Sequence, residues 1–287
     1  MAIEPYDLDQ IEHIRGVDHP ESISIGPNGK AYTTGTGGQV YRINLADNVA
    51  VQFASTAPWR MLRQAVDADS RLYCADTTGK VIRIMPTGEE STYATGPGGE
   101  DFLCTNYLAF DRAGNMYLSN SGDLSGQING RLYKIPPGGG EAELWYLEAV
   151  DTPNAIALGA QKRYLYFVET FGGNICRVAI AEDGSAGVRE RVVHMPRHIP
   201  DGIAFDERGW LRIACHRPDA IYVFDLTSNR LDLFAEDWRG EALRGPMDVA
   251  FAGPNRDILL AASLDNLVVH RFNDVGVCGL QLNNPTL

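Results

Sequence analysis

Along most of this chain apolar and polar residues alternate with a period of two, and turns containing Gly, Asp or Pro interrupt the alternation at regular intervals. That period marks strands that bury one face. Residues 200–211, PDGIAFDERGWL, show the unit plainly: a polar residue, an apolar strand, an Asp/Gly turn and a second apolar strand. The same plan recurs at 20–32, 63–74, 105–118, 153–167 and 246–260, which makes six units. Glu21, Gln64, Asn106, Asn154, Asp201 and Met247 take the leading positions, at separations of about 43, 42, 48, 47 and 46 residues. Repeats of that length build one propeller blade each. A third strand follows in every unit (39–43, 80–84, 131–135, 174–178, 220–224 and 267–272), with β-branched or aromatic residues at most alternate positions. Fourth strands near 49–53, 90–94, 142–147, 188–193 and 231–235 are less regular, as expected where only one face is buried.

The pattern therefore predicts an all-β fold over 1–287: one domain, a six-bladed β-propeller with four antiparallel strands per blade. A ring must close, because an open sheet edge exposes unpaired backbone groups. The short apolar stretch at 11–14 is expected to supply the outer strand of the last blade and so fasten the two ends of the chain together.

Composition narrows the partners. The formal net charge is −12, with a pI near 4.9, which argues against nucleic acid and anionic membranes. The first residues lack a signal-peptide pattern, and no window approaches the ~20 apolar residues of a membrane span. Five scattered cysteines with no CxxC pair make a disulfide framework or zinc ribbon improbable. The expectation is a cytoplasmic protein that acts on a small molecule and has no obligate protein partner.

The leading residues start their strands at one mouth of the ring, where loops 34–38, 76–79, 120–130, 169–173, 216–220 and 263–266 return. Loops on such a scaffold are where chemistry is usually carried, and the longest, 120–130, is the candidate lid. Glu21, Asn106, Asn154 and Asp201 all offer side-chain oxygen. Two carboxylates and two amide carbonyls suit a hard divalent cation; they equally suit the polar lining of a solvated tunnel. No leading position carries the Cys or His that structural zinc favours.

These residues, in HPES, CTNYLAF, TPNAIAL and IPDGIAFDERG, resemble the gluconolactonase, regucalcin (senescence marker protein) and luciferin-regenerating enzyme family of six-bladed propellers, and the likeness runs to the FNDVGVCGL ending. The resemblance implies one divalent metal ion, calcium first, with magnesium, manganese or zinc as alternatives. Glu21, Asn154 and Asp201 would be its ligands, and Asn106 a ligand or substrate contact. It further implies a metal-dependent hydrolase that opens a lactone or related cyclic ester with an activated water. Asp201 would take the proton and Asn106 would orient the ester. Glu169 and His216 are alternative proton carriers. Trp59, Arg60, Gln64, Tyr107, Phe171 and Met247 are candidate substrate contacts, as are His198 and Arg197 for an acidic group. The wording of the first blade, HPESISI, is also similar to strictosidine-synthase-like propellers, which implies a metal-independent condensing or lyase enzyme. A non-enzymatic propeller that binds ligand or protein is the third reading.

Overall fold

The computed structural model describes residues 3–56 and 61–287, with the backbone only at Met61 and Leu62. Among these, helix is confined to three short 3-10 turns, and the strands form six sheets arranged as the blades of a ring. The innermost strands are Ser24–Ile25, Met61–Val66, Thr105–Phe110, Pro153–Leu158, Ile199–Phe205 and Pro246–Ala252. Each blade then runs outward through successive antiparallel neighbours to an edge strand. Gly140–Glu141, from the third unit, adds a short parallel strand to the edge of the second blade at Glu90–Thr95, a pairing the repeat does not predict.

The ring closes as the sequence predicts. Glu12–Ile14 pairs antiparallel with Val268–Phe272, so the first segment of the chain becomes the outer strand of the sixth blade. No helix among the described residues is long and apolar enough to cross a membrane.

The core is divided among the blade interfaces. Leu72 and Ile84 pack against Val40 and Tyr32 between the first two blades, and Leu108 and Met116 pack against Tyr73 and Val81 between the next two. Further clusters join each remaining pair of neighbours, including the sixth blade to the first through Ile14, Ile43, Leu260 and Val269. This follows from period-two strands whose two faces both meet a neighbouring sheet.

On the turn side of the ring, residues 279–287 cross beneath the channel. The Leu280 N–H donates to the Phe205 carbonyl, and the Ala68 N–H donates to the Pro285 carbonyl. Asn283 donates to the Phe110 carbonyl, and Asn284 to those of Ile25 and Val66. This segment thus bonds to the first-strand ends of four blades. Above it lies a cavity of about 110 Å³, lined by Ile23, Ile156, Ile203 and Val249 with Leu280 and Leu282 from the segment itself.

One pair at the closure seam is sensitive to acid. His13 and His270 face each other across the closing strands with their Nδ1 atoms 3.1 Å apart, so one ring donates and the other accepts. Burial, aided by His13, pushes His270 down to about 3, while Asp237 and the Arg244 backbone oppose this by less. Burial and Arg15 likewise lower His13. The unfolded chain takes up these protons near the ordinary histidine value of ~6.5, and the folded chain only at lower pH. The stabilisation is therefore complete above neutrality and drains away as the pH falls toward 3. Chemical denaturation between pH 7 and 4 should show a loss of about 3 kcal/mol from His270 by pH 4. His270→Phe should flatten that slope, and an unchanged slope would assign the acid sensitivity to other groups.

Candidate functional site

Strand register decides which residues reach the axis. Near the start of the first strands of blades two to six stand the pairs Met61↔Asp76, Thr105↔Asn120, Pro153↔Glu169, Pro200↔Cys215 and Pro246↔Ser263, the fourth preceded by Ile199↔Arg217. A register shift follows each of them, so the next two residues in blades two to five, and Met247 in blade six, leave the regular ladder. Two positions follow the shift in each of blades two to six, the second of which re-enters the ladder in blade six as Asp248↔Ala262. The first holds Leu62, Asn106, Asn154, Asp201 and Met247; the second holds Arg63, Tyr107, Ala155, Gly202 and Asp248. This corrects the placement of Gln64, which lies two residues past the leading position of its blade. It is buried, accepts hydrogen bonds from Ser22 Oγ (2.7 Å) and Thr34 Oγ1 (3.2 Å), and donates to the Tyr32 carbonyl, so it ties blade two to blade one.

The second positions supply the centre of the hub. Arg63 extends across the axis with its side chain only 2% exposed. Its Nη2 donates to Asp201 Oδ1 at 2.5 Å and lies 3.5 Å from Asn154 Oδ1. Nη1 donates to the main-chain carbonyl of Glu21 and stands 3.6 Å from Asp248 Oδ2. The guanidinium carbon is 5.5 Å from the centre of the Tyr107 ring, within cation–π range. Asp248 also accepts the Ile23 N–H at 2.9 Å, and the Tyr107 hydroxyl donates to it at 3.4 Å. Gly202 makes room for this arrangement, since a Cβ there would lie 2.4 Å from the Asp248 Cα.

Burial raises Asp201 to about 7 against the pull of Arg63, with Glu21 and Asp248 adding to the rise. Burial likewise raises Asp248 to about 6, opposed by Arg63 and by the Ile23 N–H. It lifts the Tyr107 hydroxyl well above its usual range, and Asp248 lifts it further. Desolvation pulls the Arg63 guanidinium down, but Asp201, Asp248, Tyr107 and Glu21 together hold it above its usual range, so it stays protonated. Exposure separates the two acids: Asp248 is sealed at 0%, whereas Asp201 keeps 3% and its neighbour Asn154 keeps 8%.

The remaining candidates lie in varied surroundings. Asn106 donates to Ser121 Oγ at 3.0 Å, and its buried Oδ1 has no partner among the described residues. The Nε of Arg63 is likewise buried without one. His216 Nδ1 is 2.7 Å from Met247 Sδ, and burial followed by Arg217 lowers its pKa, which keeps the ring neutral at pH 7. Glu169 is buried against Arg189 Nη2 at 2.5 Å and accepts from Asn174. His198 is engaged by the Tyr222 hydroxyl and the Pro196 carbonyl. Phe171 and Arg197 are exposed. Trp59 and Arg60 lie outside the described residues.

A divalent ion does not fit this arrangement. The Arg63 guanidinium already reaches the Glu21 main-chain carbonyl and the side-chain oxygens of Asn154 and Asp201. Among the described residues, no group of three His, Cys, Asp or Glu side chains is disposed to hold a metal. Sequence reasoning missed Arg63 and Asp248. Each is a charged residue inside a predicted inner strand, RQAVDA and PMDVAF, and that is the signal that could have found them.

Comparison with known proteins places this geometry in context. Residues 32–264 match the family described as SMP-30/Gluconolactonase/LRE-like region. Lactonase drp35 of Staphylococcus saprophyticus is 20% identical over 241 residues, covering 80% of this chain and 74% of that protein. Strictosidine synthase-like 3 of Arabidopsis thaliana is 28% identical over 160 residues, or 51% of this chain and 40% of that protein. The structure of a regucalcin from Agrobacterium tumefaciens, described as a calcium-binding protein, superposes with a TM-score of 0.77 at 17% identity, covering 94% of each chain. At that identity the superposition bears on the fold.

Breaking a buried ion pair by removing one partner leaves the other charge uncompensated, at a cost of about 3–5 kcal/mol. Arg63→Met should destabilise the fold by that order at neutral pH. Combining it with Asp201→Asn should cost less than the two changes added, by at least ~1 kcal/mol. Urea denaturation of the four proteins in the cycle measures the coupling, and strict additivity would dismiss the pair as a stabilising contact.

Proposed function

The chain belongs to the SMP-30/Gluconolactonase/LRE-like family, and from that premise we propose that it is a lactonase-like hydrolase acting at the hub on a small lactone or related cyclic ester. One observation carries the reading: Asn154 and Asp201, themselves buried but less sealed than Asp248, meet a buried guanidinium. Ester hydrolysis needs a base for the attacking water and a positive or hydrogen-bonding partner for the charge that develops on the carbonyl oxygen. Asp201 fills the first role. Arg63, with the amide of Asn154, fills the second.

Oxyanion stabilisation by preorganised donors is worth most where water is excluded, and the hub is such a place. Tyr107 and Asp248 act through Arg63: they hold its plane and balance its charge, while Asp248 is too deeply sealed to meet substrate. Asn106, whose Oδ1 has no partner among the described residues, would orient a substrate hydroxyl. No step in this reading passes through a metal ion.

A second reading draws on the partial likeness to strictosidine synthase-like 3: a lyase or condensing enzyme. Its base must stand apart from a cation. Glu169 is spent on Arg189, which leaves His216, neutral and half-buried beside Met247.

A panel of γ- and δ-lactones incubated in isotopically labelled water separates the two. Hydrolysis of at least one lactone should place the label in the product acid, and Asp201→Asn should lower kcat by roughly 100-fold or more, the order expected for loss of a positioned base. Failure to open any lactone, or full activity in Asp201→Asn, would end the hydrolase reading. Turnover without label that depends on His216 would support the second.

A further inference from the structure

The trio Glu21, Asn154 and Asp201 suggests a divalent ion by residue type alone, so the position of Arg63 among them requires explanation. A hard divalent cation lies about 2.0–2.6 Å from its carboxylate and carbonyl oxygens. Arg63 Nη2 already stands 2.5 Å from Asp201 Oδ1 and points toward Asn154 Oδ1. An ion bound to those two oxygens would overlap that nitrogen and set two cations side by side in a buried space. The remainder of the hub is shaped for a planar, monovalent group. Tyr107 offers the face of its ring, a second carboxylate approaches from Asp248, and the Glu21 main-chain oxygen meets the other end of the fork. Asp248 reaches this position because Gly202 lets its backbone come close.

We propose that Arg63 is the resident cation of this propeller: a guanidinium tethered to the second blade takes the place of a divalent ion among Glu21, Asn154 and Asp201, so the wild-type hub binds none. A tethered charge cannot be removed by a chelator or exchanged for another metal. Removing the side chain beyond Cβ exposes the oxygen set to solvent cations while leaving the acids in place. The inference concerns occupancy, and it stands whether or not the chain opens lactones.

The test uses the full chain, stripped with chelator and desalted, with no substrate present. Elemental analysis of the wild type should find no stoichiometric divalent metal, and calcium or manganese at millimolar concentration should leave its Tm unchanged. Arg63→Ala should gain a cation-dependent rise in Tm of several degrees, and adding Asp201→Asn should abolish the gain. If Arg63→Ala folds only when calcium or manganese is supplied, as read by circular dichroism, that also supports the proposal. Arg63→Lys, which keeps a tethered cation, should stay insensitive. One tightly held divalent ion per wild-type chain overturns the proposal, as does a calcium-raised wild-type Tm that is lost in Asp201→Asn. A folded Arg63→Ala protein that responds to neither metal also overturns it.

Discussion

A charged guanidinium in the middle of a propeller can persist only if its surroundings supply what water would have supplied. Here that supply comes from five blades at once: a carbonyl from the first, an aromatic face from the third, an amide from the fourth and carboxylates from the fifth and sixth. Desolvation of an ion costs several kcal/mol even after relaxation, so every one of these groups has to be in place together. The ring closure provided by Glu12–Ile14 is therefore more than the sealing of a sheet edge. It fixes the sixth blade, and with it Asp248, at the distance the hub requires.

Much of this architecture is legible in the chain. Strand periodicity and six recurring turns specify the blades, and the need to avoid an open edge specifies the closure. Equivalence within the repeat brings Asn154 and Asp201 to one guanidinium. Two things are not legible in the same way. A register shift near the start of an inner strand moves the axial position without altering the alternation, which is why Gln64 reads as a leading residue although its partners belong to blade one. Arg63 and Asp248 meet across the ring from blades two and six; each alone reads only as a charged residue in an apolar strand. Residue type likewise says nothing of engagement: the Glu169 carboxylate is buried against Arg189.

Family membership and the details of the hub answer different questions. The match over residues 32–264 describes the scaffold and the class of chemistry associated with it. The hub shows how this chain has furnished that scaffold. A site whose cation is encoded in the sequence is assembled when the chain folds, whereas a metal site also answers to whichever ion is available. The two designs place their positive charge at the same spot but respond differently to their surroundings.

Residues 279–287 bind the undersides of blades one, two, three and five. They floor the cavity beneath the hub with Leu280 and Leu282. A molecule that entered and left from the opposite mouth would have newcomer and departing product contend for a single doorway. Bulk on a ligand is then tolerated only on the end that trails outward, and exchange at that doorway becomes a property of the loops around it as much as of the chemistry within.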